Sequence, residues 1–84
     1  MIIMKEVPPN TYVINVLWDA EAEVWVATSK DIKGLVLEAA TMELLMSEIE
    51  DVVPDLLEDN HANHGPDLSI CVQAHRSALI KAHA

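Results

Sequence analysis

The chain has no phenylalanine, one cysteine, two glycines and only three aromatic side chains in 84 residues. Without phenylalanine, the core must be built from Val, Ile, Leu, Met and Ala, with Tyr12, Trp18 and Trp25 as the only large rings. A lone Cys71 excludes an internal disulfide, and its place in an apolar run predicts a buried thiol. Gly34 and Gly65 are too few to build a phosphate-cradling loop. No apolar run approaches the roughly 18 residues needed to span a bilayer. The apolar start Met1–Met4 is too short for a secretory signal, so the chain reads as cytoplasmic.

Cations are also scarce, with five Lys and Arg against fourteen Asp and Glu, for a formal charge of −9. That charge repels phosphate backbones and anionic lipid surfaces, which disfavours direct nucleic-acid binding and membrane association. It favours a basic partner, whose approach it would accelerate in a salt-dependent way. The length suits one domain, residues 1–84, near the lower limit for folding without staples. Within it, residues 1–11 read as a loose arm and 75–84 as a tail that suits either a strand extension or a short helix.

Pro8 and Pro9 remove two backbone donors and separate the arm from the first strand. Residues Tyr12 to Trp18 alternate, with Tyr12, Ile14, Val16 and Trp18 facing one way and Val13, Asn15 and Leu17 the other. After the polar connection Asp19–Glu23, the run Val24–Thr28 returns as the second arm of a hairpin. The turn Asp31-Ile32-Lys33-Gly34 follows, with Gly34 able to take a positive φ, and Leu35–Leu37 predicts a short third strand.

Thr41 suits an N-cap, with Glu43 in the first turn, where the helix dipole favours an anion. Met42, Leu45, Met46, Ile49, Val52, Val53 and Leu56 fall at helical spacing and predict the buried stripe. Pro54 lacks the donor for the Glu50 carbonyl, which predicts a helix ending near Val52 and a separate turn from Pro54 to Asp59. Residues 60–67 lack periodicity and read as loop, and Leu68–Ala74 alternates again as a fourth strand.

The expected fold is therefore α+β in the order β-β-β-α-β, one small antiparallel-rich sheet with a helix on one face. The second sheet face would be partly bare, and Trp18 or Trp25 there would offer an anchor to a partner.

Chemistry finds few footholds. Asp19, Glu38 and Glu48 are the acids nearest to a two-metal arrangement, but their places in the chain do not predict convergence, and a solvated acidic surface is the simpler reading. His61 and His64, with His75, Asp59 or Cys71, form a weak zinc pattern that lacks a cysteine pair. The serines have no nucleophile elbow around them. The expectation is a non-enzyme without catalytic, cofactor or metal residues.

The strand Tyr12–Trp18, the strand Val24–Thr28, the turn Asp31-Ile32-Lys33-Gly34-Leu35 and the segment Glu38-Ala39-Ala40-Thr41-Met42-Glu43 together resemble the HicB-like antitoxin family. The likeness spans about residues 12–60 and, more weakly, the fourth strand. It implies a partial ribonuclease H-like fold without that fold's nuclease carboxylates. It also implies a role in a toxin–antitoxin pair, in which the domain covers a small basic RNA-cleaving toxin. Family members usually continue into an operator-binding segment, for which His75–Ala84 is too short, so the expectation is a standalone toxin-binding domain.

On this reading Asp19, Glu21 and Glu23 of the hairpin, Trp25, and Glu43, Glu50 and Asp51 of the helix meet the partner. The alternative is a self-associating structural or orphan regulatory module, a homodimer that pairs edge strands or bare sheet faces.

Overall fold

A computed structural model describes residues 11–62, 65 and 67–83. The arm expected over residues 1–11 thus falls outside the described residues up to Asn10. Five elements follow in order: β1 (Tyr12–Asp19), β2 (Val24–Thr28), β3 (Val36–Ala39), α1 (Met42–Asp59) and β4 (Ile70–His75). They form one four-stranded sheet in the order β3-β2-β1-β4 with α1 on one face, the α+β arrangement that the sequence predicts. The sheet is mixed: β1 pairs antiparallel with β2 and parallel with β4, while β2 pairs antiparallel with β3.

Each connection is fixed by local side-chain chemistry. Between β1 and β2, the Asp19 carboxylate accepts from the Glu21 and Ala22 N–H groups at 3.0 and 3.1 Å. Glu23 completes that turn at φ 56°. Beyond the end of β2, side chains continue the ladder on β1. The Ser29 hydroxyl donates to the Val13 carbonyl at 2.6 Å, and the Val13 N–H donates to the Asp31 carboxylate at 2.7 Å. This fastening lets the turn insert Ile32 and Leu35, which are fully and almost fully buried. Gly34 takes φ +86°, as its position predicts.

Thr41 caps α1 by accepting from the Leu44 N–H at 3.1 Å. The buried stripe is Leu45, Ile49, Val53 and Leu57, flanked by half-buried Met42, Met46, Val52 and Leu56. Leu57 was not expected there. The break expected at Pro54 does not occur: α1 runs unbroken through it to Asp59. One missing donor costs less than losing the last turn, because Val53 and Leu57 on either side of Pro54 are both buried.

The helix then closes in a Schellman motif. The Ala62 N–H donates to the Leu57 carbonyl at 2.9 Å, the His61 N–H donates to the Glu58 carbonyl at 3.0 Å, and His61 itself is left-handed at φ 55°. The third and fourth strands each begin and end one or two residues later than expected. The tail resolves as neither strand nor helix, since residues 76–83 are irregular and exposed.

The strand register decides which face the helix covers. Ile14 and Val16 of β1 and Ala27 of β2 are fully buried beneath it. Trp18 and Trp25 lie opposite each other and share that face by alternation. Neither tryptophan therefore lies on the bare face. That face carries Val13, Leu17, Val24, Val26 and Val36 instead, with Leu17 and Val36 exposed.

Candidate functional site

The acids weighed as a catalytic group are kept apart. Asp19 is occupied by its own turn, Glu38 faces the bare side of β3, and Glu48 rides on the helix over the opposite side. Among the described residues no three His, Cys, Asp or Glu side chains gather as a metal site. His61 takes the left-handed position just after the helix C-cap Asn60, and His64 lies outside the described residues. Cys71, expected to be buried, is half-buried on the bare face, because β4 is an edge strand that nothing described packs over on that side.

The acids proposed for partner recognition divide into two groups. The β1–β2 turn, the end of β3 and the start of α1 meet at one end of the sheet. The register sets this, since Asp19 faces Val24, Trp25 faces Ala39, and Thr41 caps the helix two residues later. Asp19, Glu21, Glu23 and Glu43 therefore share that end, and all four are exposed. A shallow groove of about 320 Å³ opens there along the helix, lined by Met42, Glu43, Met46, Ser47 and Glu50. Each helical residue turns about 100° from the last, so Glu43 and Glu50 fall on the groove flank. Asp51 points away from it, toward solvent.

A second groove, of about 260 Å³, continues along the same flank and is lined by Ile49, Glu50, Val53, Pro54, Leu68 and Ile70. It exists because α1 approaches β3 and β2 most closely and covers β4 incompletely. The helix-side residues of β4, Ile70 and Val72, are consequently only half-buried. Sequence reasoning missed Pro54, Leu68 and Ile70 as a site. The pair Met42 and Met46, one turn apart and adaptable in shape, signals only the first groove.

Trp25 does not stand free as an anchor. It packs edge-on against Trp18, with ring centroids 5.2 Å apart at 62°. The Arg76 guanidinium sits 4.5 Å from the Trp18 centroid and 5.9 Å from that of Trp25, in cation–π range. This three-layer stack closes the acidic end of the sheet on the β4 side and fixes the point where the tail leaves it.

Among the described residues no helix is long and apolar enough to cross a membrane. Residues 11–84 match the family described as a domain of unknown function, DUF1902, and the chain belongs to that family. No functionally curated protein matches it. Its fold is similar to the crystal structure of hypothetical protein TTHA1013 from the extremely thermophilic bacterium Thermus thermophilus. The two are 40% identical, with a TM-score of 0.74, over 83% of this chain and 99% of that one.

Proposed function

We propose that this DUF1902 member is a non-catalytic binding domain that neutralises a small basic RNA-cleaving toxin, in the manner of HicB-like antitoxins. The observation that carries the reading is the acidic end of the sheet. There, exposed Asp19, Glu21 and Glu23 share one end of the sheet with a groove whose acidic lining is Glu43 and Glu50 and whose apolar lining is two methionines. Apolar contacts supply most of the affinity of such an interface, and the carboxylates supply encounter rate and choice of partner. Methionine suits this role because its unbranched thioether adapts to the surface it meets. The β-β-β-α-β order fits a partial ribonuclease H-like antitoxin domain, and action against an RNA-cleaving partner goes with a cytoplasmic location.

The test separates local recognition from overall charge. Glu21→Lys/Glu43→Lys and Asp51→Lys/Asp55→Lys change the net charge equally, but only the first pair alters the acidic end. With the basic protein encoded beside this chain as ligand, the first variant should slow association by about tenfold or more at low salt. The second should have a much smaller effect. Equal slowing by both would show that only the overall field matters, and the acidic end would lose its role. Absence of any basic protein co-purifying with the chain at low salt would sink the antitoxin reading itself.

A further inference from the structure

The two edge strands differ in their protection. β3 is four residues long and carries a charge, Glu38, in its middle. β4 is six residues long, Ile-Cys-Val-Gln-Ala-His, with no acid, lysine, arginine or proline. Among the described residues, no strand pairs with its outer edge. An uncharged, unpaired edge of this length is a template for another strand. Beside it lies the groove of Ile49, Val53, Pro54, Leu68 and Ile70, and beyond it runs an irregular tail. Leu79 and Ile80 of that tail are 104% and 89% exposed. The tail from Arg76 to His83 holds two cations and no acid, whereas the groove carries Glu50 on its wall.

We infer that a second copy of this chain occupies this side, pairing β4 with β4 antiparallel and seating the tail of each copy in the groove of the other. A two-fold axis perpendicular to the sheet places the end of one β4 beside the start of the other. That start is flanked by Leu68 and Ile70 of the groove. Opposed residues of an antiparallel pair share a face, so both helices lie on the same side and both grooves open toward the incoming tails. From Arg76, held over Trp18, three to four residues reach Leu79 and Ile80. That is up to about 10–13 Å of extended chain, enough to climb from the strand to the helix flank. Leu79 and Ile80 fill the apolar floor, and Lys81 meets Glu50. The interface is isologous, so each contact occurs twice. It leaves Asp19, Glu21, Glu23 and Glu43 of both copies free and shares only Glu50 with the groove beside them.

Sedimentation or light scattering of the full chain should show a concentration-dependent dimer. Leu79→Asp/Ile80→Asp should weaken it by about a hundredfold or more, because two apolar side chains per copy lose their burial. The far-UV spectrum should be unchanged, since both residues are exposed in the single copy. To fix the trans contact, Pro54→Cys and Ile80→Cys are introduced into separate chains that carry Cys71→Ser. Mixed under mild oxidation, the two chains should cross-link to each other. A chain that stays monomeric at every concentration overturns the inference. So does a dimer indifferent to Leu79→Asp/Ile80→Asp, or a failure of the two cysteine chains to cross-link.

Discussion

Gly34→Ala is a sharp test of how the turn before β3 stabilises the domain. A methyl group at this position would lie 3.6 Å from Leu56 Cδ2, an ordinary contact, so crowding contributes nothing. The cost is conformational, since φ of +86° is left-handed and an L-side chain there loses about 1–2 kcal/mol. The turn cannot relax cheaply toward a negative φ. The Ile32 and Leu35 side chains are inserted in the core on either side of Gly34, and the Asn60 amide donates to the Lys33 carbonyl at 2.9 Å. A domain of this size holds on the order of 0.05–0.15 kcal/mol per residue, so the substitution removes a sizeable share of its stability. A loss near 1.5 kcal/mol lowers Tm by roughly 6–12 °C. Thermal and urea unfolding should rank the variants wild type, Gly34→Asn, Gly34→Ala, because asparagine tolerates the left-handed region. Gly65→Ala, with nothing within 4 Å of the added carbon, serves as the control. If Gly34→Ala unfolds with the wild type, or no earlier than Gly65→Ala, the turn is not the restraint described.

Four further substitutions, at three positions, probe the helix. Ile49 is fully buried at the centre of the stripe, so Ile49→Ala should cost about 2–5 kcal/mol in urea titrations, and Ile49→Asp should abolish the cooperative transition. Pro54→Ala returns a donor to the Glu50 carbonyl in a helix that is already continuous, and should raise the urea midpoint by an amount worth about 1 kcal/mol. His61→Gly relieves the left-handed residue at φ 55° that follows the C-cap, and should stabilise the domain by roughly 0.5–1 kcal/mol, read from Tm.

The hairpin, the positive φ at Gly34, the Thr41 cap and most of the buried stripe are legible in the sequence because each depends on residues within a few positions. Three features depend on distant partners and were not legible. The face covered by α1 was ambiguous because both faces of the hairpin are apolar. Val13, Leu17, Val24 and Val26 oppose Ile14, Val16 and Ala27, so alternation alone could not place Trp18 and Trp25. Pro54 read as a break because propensity is local, whereas the burial of Val53 and Leu57 is tertiary. His61 read as a metal-ligand candidate because of its i, i+3 spacing to His64, and the Schellman hydrogen bonds that assign it appear only in three dimensions. Among the residues expected to meet a partner, Asp19, Glu21, Glu23 and Glu43 do gather. Asp51 does not join them, because the acidic helix surface wraps around more than one flank.

The second groove follows from how the two ends of α1 are tied. An 18-residue helix is about 27 Å long, while β3 and β4 are three strand spacings apart, about 14 Å. A helix of that length could cross the sheet diagonally and cover β4 as well. It does not, because its first turn begins three residues after the end of β3 and its last is tied by Asn60 to the Lys33 carbonyl, in the turn just before β3. Both tethers lie on the β3 side, so α1 is held toward that side and β4 begins only after the helix has ended. Ile70 and Val72 are left half-buried on a face whose neighbours Ile14 and Val16 are fully dry. Moving the helix over β4 would expose Leu37 and the β3 side instead, since one helix spans about 10–12 Å including side chains. A single α1 therefore cannot close this sheet wherever it is placed. Among the described residues, the apolar surface left beside β4 is a consequence of this topology.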